Sequence, residues 1–231
     1  MIRQGISLIS ALIAVLPALP VAAAGSFTLP DGCTVFATVQ MRDCQLSQHY
    51  RCDFDPEGDQ WALYADSEGP YYVGRTDYET RWVESFGLYD GSHETLAQET
   101  DPASFTTLTT TGRDDFDFTT TDPVNGTRRY SGWDQLTGER VTIDGISLER
   151  TRFDLTARDG AGAVLFRRSG NQLIHRDWRL FWGDTERFEN ADGEVFDTVA
   201  SPVTISGPGQ PGYLATKPQY DCDMMMTGWR P

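Results

Sequence analysis

Between residues 33 and 199 apolar and polar side chains alternate with a period of two in short runs. The runs stop at turn dipeptides: Asp31-Gly32, Asp90-Gly91, Asn125-Gly126, Asp144-Gly145, Asp159-Gly160, Gly170-Asn171 and Asp192-Gly193. Period two sends alternate side chains to opposite faces of a strand, and these dipeptides adopt the backbone that tight hairpins need. The pattern predicts strands over 33–40, 44–54, 60–65, 70–77, 80–89, 114–121, 127–133, 139–143, 146–156, 163–168, 172–182 and 194–199. The expected fold class is mainly all-β, an antiparallel meander of about 10–12 strands forming a barrel-like, strongly curved or two-layer sheet that hides its edges. One short helix is expected near 102–111, with Asp101 as its cap, Pro102 in its first turn, Phe105 and Leu108 one turn apart and Gly112 closing it. After Ala200, Pro202, Pro208, Pro211 and Pro218 with their neighbouring glycines predict an irregular tail that wraps the surface.

The same alternation constrains the four cysteines. Cys44, Leu46, Tyr50, Cys52 and Phe54 share a face of the 44–54 strand. At about 3.3 Å per residue, Cys44 and Cys52 stand roughly 26 Å apart, too far to bond to each other. A tight Arg42-Asp43 loop sets Met41 opposite Cys44 and Cys33 opposite Cys52, with Cys33, Val35, Ala37, Val39 and Met41 on the matching face. The expected disulfides are Cys33–Cys52 and Cys44–Cys222, the second tying the tail to the first hairpin.

Residues 1–24 read as a secretory signal peptide: Arg3, an apolar run from Ile6 to Leu16, Pro17 and Pro20, then Ala22-Ala23-Ala24. The run is shorter than the about 20 residues of a membrane span. The mature chain is expected to begin at Gly25 as a single β domain, 25–231, exported to the periplasm, and the absence of cysteine at 25 argues against a lipid anchor. Removing Arg3 with the signal leaves 18 basic and 34 acidic side chains, a net charge of −16. That sign disfavours nucleic acid and anionic membrane surfaces, which are bound through basic patches. Arginines at 81, 129, 150, 152, 167 and 176 suit a wet sheet face better than the lipid-facing band of a membrane barrel.

Candidate chemistry is sparse. No G-x-S-x-G occurs, and the bases are His49, His93 and His175, of which His49 falls among polar, outward positions of its strand. Asp53, Asp55, Glu57 and Asp59, with Gly58, match the first half of a calcium loop, but Pro56 stiffens it and Tyr64 stands where a bidentate glutamate would close it; an acidic turn is the simpler reading. Asp114, Asp115 and Asp117 lie across the Asn125-Gly126 turn from Arg128 and Arg129, which predicts cross-strand ion pairs rather than a cation site. Met224-Met225-Met226 cannot all face one soft ion in an extended chain. No metal and no cofactor is called for. Aromatic side chains are more informative: Trp178, Leu180 and Trp182 alternate on one face, and Trp82 and Trp133 add large rings elsewhere. These four tryptophans are the candidate ligand-binding residues, because aromatic rings in a curved sheet line apolar cavities, although an ordinary two-layer core uses them as well.

The stretches Gly112 to Thr120, Leu136 to Glu139 with Ile143 to Gly145, and Arg176 to Arg179 resemble exported, uncharacterised proteins of GC-rich Gram-negative bacteria, a likeness that extends over most of the mature chain. The resemblance implies export and carries no activity. Signal, aromatic meander and missing catalytic constellation together predict a soluble, non-catalytic periplasmic binding protein for a small apolar ligand. The alternative is a structural or interaction module of the cell envelope with a protein partner, and a third reading is a hydrolase built on His175 or His93.

Overall fold

The computed structural model describes residues 27–223, so the signal segment 1–24 and Met224 to Met226 lie outside the described residues. Thirteen strands and one helix follow in the order β1 Cys33–Met41, β2 Gln45–Cys52, β3 Gln60–Asp66, β4 Gly69–Thr76, β5 Trp82–Gly87, β6 His93–Asp101, α1 Phe105–Thr111, β7 Arg113–Asp122, β8 Gly126–Ile143, β9 Ile146–Asp159, β10 Val164–His175, β11 Leu180–Asn190, β12 Val195–Val199 and β13 Pro202–Ser206. All belong to one antiparallel sheet in which β1 to β12 lie in chain order and β13 returns to pair with β1. The expected meander is present, but the sheet stays open instead of closing into a barrel.

Its two ends nevertheless meet. Only Ala200 and Ser201 separate β12, at one end of the sheet, from β13 at the other. The main core cluster gathers Val39 and Met41 of β1 and Ile205 of β13 with Leu148 of β9, Leu173 of β10 and Leu180 and Trp182 of β11. Strands so far apart in the sheet share a core only if the sheet rolls back on itself. Two glycines stand where β8 to β11 are pressed together. A Cβ at Gly132 would collide with the Asp154 carbonyl and one at Gly170 with the Thr185 carbonyl. Gly-Asn at 170–171 is therefore an interior strand pair and not the expected turn, which falls at 176–179. Trp178 accordingly lies in that turn, and β11 extends to Asn190.

The first hairpin pairs Cys33 with Cys52 and Val35 with Tyr50, then shifts by one residue at Phe36, so that Ala37 faces His49 and Met41 faces Gln45. A bulge adds a residue to one strand and turns the side chains beyond it to the other face. The loop consequently holds Arg42, Asp43 and Cys44, the last two with φ of 60° and 51°, and Cys44 is buried in a loop rather than on a strand. For the same reason His49 is buried, not outward. The disulfides are Cys33–Cys52 and Cys44–Cys222. The second anchors the tail, which lies over the outer side of β1 and β2. There Thr38 accepts from the Leu214 N–H, Gln40 bonds to Lys217 and Gln219, and Gln48 donates to the Ala215 carbonyl.

Ser104, not Asp101, caps α1: its hydroxyl accepts the Thr107 N–H at 3.1 Å, and Gly112 ends the helix at φ 90° as expected. Phe105 and Leu108 pack on Ile174 of β10, with Leu136 and Phe181 beside them. The helix is held from outside by Glu79. Its carboxylate accepts from Ser104 Oγ and from the Thr106 amide and hydroxyl, and Arg179 pairs with it while lying over the rings of Tyr78 and Phe105.

Candidate ligand-binding face

Residues paired across antiparallel strands share a face. Phe118 of β7 faces Tyr130 of β8, Tyr130 faces Ala157 of β9, and Ala157 faces Phe166 of β10. Phe188 of β11 faces Phe196 of β12. Ala157, fully buried and small, lets the flanking rings approach above it. The result is a ladder of rings across the sheet. Trp82 of β5 stands edge-on to Phe118 at 5.6 Å and to Tyr130 at 5.2 Å, and the centroid contacts continue from Tyr130 to Phe166 at 6.4 Å, Phe166 to Phe188 at 5.6 Å and Phe188 to Phe196 at 6.3 Å. Phe118 and Tyr130 are buried, whereas the terminal rings reach solvent, Trp82 being 40% and Phe196 39% exposed.

Polar groups edge the ladder on the same face. Arg168 grips Glu186 through Nε at 2.8 Å and Nη2 at 2.5 Å. Tyr130 donates to Glu94 at 3.0 Å, and Arg128 pairs with Glu94 at 3.1 Å. The face is concave: Trp82 of β5 touches Tyr130 of β8 at 5.2 Å although β6 and β7 lie between their strands, and Arg168 of β10 stands near Tyr64 of β3 and Tyr72 of β4. Burial pushes both phenols up, Tyr64 to about 12, and the guanidinium pulls the other way. Beyond the ladder, Gly170, Glu186 and Thr198 fall in the next row of the same face, whereas the cleft of about 370 Å³ beside them is lined mainly from the opposite face, by Ser169, Thr185, Arg187, Asp197 and Val199.

The four candidate tryptophans do not form one site: Trp178 and Trp182 meet edge-on at 6.4 Å in the main core, and Trp82 and Trp133 lie elsewhere. Trp82 belongs to the ladder. Trp182 is buried in the main core, where its indole N–H donates to His49 Nε2 at 2.8 Å, and Trp178 lies tilted against His175 at 4.5 Å. Trp133 lies under the Arg113 guanidinium at 4.6 Å. Phe166 and Phe196 fall in the expected strands 163–168 and 194–199 but are not singled out there, because Phe188, which joins them, lies in the part of β11 beyond the expected 172–182 strand.

The remaining candidates are engaged internally. Asp59 pairs with Arg75 at 2.7 Å and Asp55 accepts the Trp61 indole N–H at 2.7 Å, while Asp53 and Glu57 are exposed. No group of three or more His, Cys, Asp or Glu able to hold a metal ion occurs among the described residues. Arg129 pairs with Asp117, Arg128 reaches Glu94 rather than the aspartates, and Asp115 takes Arg113. Asp114 instead accepts the Ser104 N–H at 2.8 Å and lies directly opposite Asp134 of β8. Burial raises Asp114 to about 6; burial and the Asp114 charge raise Asp134 to about 7. Burial holds His49 down at about 3, with Ser47 Oγ 3.0 Å from its Nε2. His175 Nδ1 accepts the Trp178 N–H at 3.1 Å, and His93 stacks on Phe86 at 4.3 Å.

Comparison with family models, curated proteins and solved structures finds no match to this chain.

Proposed function

We propose that this chain is an exported, non-catalytic binding protein of the periplasm that takes its ligand on the concave aromatic face of the rolled sheet. The observation that carries the reading is the continuous ring ladder from Trp82 to Phe196, solvated at both ends and edged by the Arg168–Glu186 pair. Large rings left accessible in a concave surface provide apolar area and orientation for a ligand at small entropic cost. Native mass spectrometry of the protein purified from periplasm without detergent tests it. A co-purifying mass that disappears in Trp82→Ala is expected, and a bare mass in the wild type overturns the reading.

A second reading, an envelope interaction module, is favoured by β12. It ends the sheet, and Val195, Phe196 and Val199 on it are exposed, so an extended segment of an envelope protein could add to it as a further strand. Envelope pull-down that fails once β12 carries Thr198→Pro, with the ligand mass retained, distinguishes this partner from a ligand on the ladder.

A further inference from the structure

We infer that the ligand of the aromatic face is a neutral oligosaccharide, laid along the rings between Trp82 and Phe196 and reaching the Gly170, Glu186 and Thr198 row beside them. This rests on the binding-face reading above and adds the ligand class.

The chemistry of the face separates a sugar from an acyl chain. A carrier of acyl chains encloses its ligand in apolar walls and keeps charge away from the alkyl part. Here the rings are interleaved with charge: Arg168 lies in the row of Leu155 and Phe188, and Glu186 in the next row, opposite Gly170 and Thr198. The Arg168 side chain remains 40% exposed and that of Glu186 24%. Covering such a pair with hydrocarbon strips its water and returns no hydrogen bond, which is costly. A pyranose chain replaces that water with hydroxyls and lays its C–H face on the electron-rich face of a ring. Half-exposed rings beside satisfied but still hydrated ion pairs are therefore matched to a ligand that is apolar on its faces and polar at its rim.

The next row extends the same match. It sets the Glu186 carboxylate beside the Thr198 hydroxyl on the ladder face, acceptors and a donor that pair with sugar hydroxyls. Charge selects among glycans. The chain carries a net charge of −15, and both guanidinium groups beside the ladder are already matched by carboxylates, so uronic acid or phosphate-bearing polymers gain nothing. A neutral chain incurs no such repulsion.

The test is calorimetric titration of the full mature protein with cellohexaose, maltohexaose and chitohexaose, and separately with palmitate. The variants are Trp82→Leu and Phe196→Leu, both at half-exposed positions, with folding checked by thermal midpoint. Leucine keeps apolar bulk and removes the ring face. Saccharide affinity is expected to fall roughly tenfold in each variant, the scale of a lost aromatic contact. Glu186→Gln, which breaks the ion pair but keeps a hydrogen-bonding group, supplies a variant independent of the rings, and it is expected to weaken the same saccharide. Palmitate binding that weakens in the leucine variants, with no saccharide bound, overturns the sugar assignment and leaves the binding face standing. Saccharide binding indifferent to Trp82→Leu, Phe196→Leu and Glu186→Gln places the site elsewhere and overturns both. If no hexaose binds, the sugar assignment falls; the co-purifying mass then decides separately whether the binding face stands.

Discussion

Asp134→Asn should stabilise the protein at pH 8 and do little at pH 4. Asp134 faces Asp114 across the β7–β8 pair, and burial together with the Asp114 charge raises its carboxyl from 3.8 to about 7. A carboxyl whose folded pKa lies above its unfolded value favours folding below the unfolded pKa, and that advantage is lost as the pH rises through the folded pKa. At pH 4 the folded chain holds the proton and the cost is small. At pH 8 the carboxylate must be charged in both states, and the shift of about three units amounts to ~4 kcal/mol for a side chain sealed from water. Asp134 is only half-buried, so solvent screening lowers the expected effect to about 2–3 kcal/mol. Asparagine keeps the shape and removes the ionisation. Urea unfolding followed by tryptophan fluorescence at pH 4, 6 and 8 gives the difference between wild type and variant at each pH. A gain that grows steadily with pH is expected. The same difference at all three pH values would refute the claim that this carboxyl is held protonated by its surroundings.

Two further outcomes follow from buried groups and the tail. Burial holds His49 at about 3 against 6.5 when unfolded, so below pH 6.5 the unfolded chain binds a proton that the folded chain does not. Its contribution falls as the pH drops towards 3, by up to about 1.4 kcal/mol per unit. His49→Gln, which still offers an acceptor to the Trp182 indole, should flatten that acid limb in the same urea titrations, and an unchanged limb assigns the acid sensitivity elsewhere. Replacing Cys44 and Cys222 by serine together opens a closure spanning 178 residues, worth ~5 kcal/mol at most in the chain-entropy account. Limited proteolysis should then cut between residues 207 and 221 before the sheet is attacked; a tail as protected as in the oxidised protein would mean that the bonds to Thr38, Gln40 and Gln48 hold it alone.

What the sequence disclosed depended on range. Cys33 opposite Cys52 was legible, because both strands alternate and the hairpin is local. The bulge at Phe36 was not, and it moved Cys44 into the loop and turned His49 inward. Nothing in period two signals an added residue; the shift is settled by which side chains Trp182, ten strands further on in β11, brings into the core. Gly170-Asn171 has the composition of a turn, yet the close approach of the Thr185 carbonyl requires glycine there for a reason that exists only once β11 is in place. β6 escaped notice because His93–Asp101 is largely polar and bulged twice, and β13 because it opens on proline, which a strand's first residue tolerates. The ring ladder was partly visible as Trp82. Its continuation through Phe166, Phe188 and Phe196 depends on register across five strands, whereas Asp114 meets Asp134 within the single β7–β8 hairpin, one residue beyond the expected 127–133 strand.

The two edges of the open sheet are treated in opposite ways, and that asymmetry places the candidate face. At β13 the edge is covered: Asp144, in the β8–β9 turn, accepts the Ile205 N–H at 2.8 Å, and Ser206 donates to the Pro211 carbonyl of the tail at 2.7 Å. Where the chain leaves β12, Asp184 secures it, accepting Ser201 Oγ at 2.6 Å and the Ala200 N–H at 3.0 Å, while the Ser201 carbonyl takes the Arg42 N–H. The roll is therefore drawn shut at the Ala200-Ser201 passage, around the core of Trp182, Leu173 and Met41. On the other side of that passage β12 follows β11 only from Thr185 to Glu189 and stays exposed along its length. Were β12 to pair with β1 instead, the barrel would close and the Phe188–Phe196 end of the ladder would be sealed. Splitting one passage of chain between two distant strands leaves that end open, so the feature that keeps the sheet from closing is also what exposes the rings to solvent.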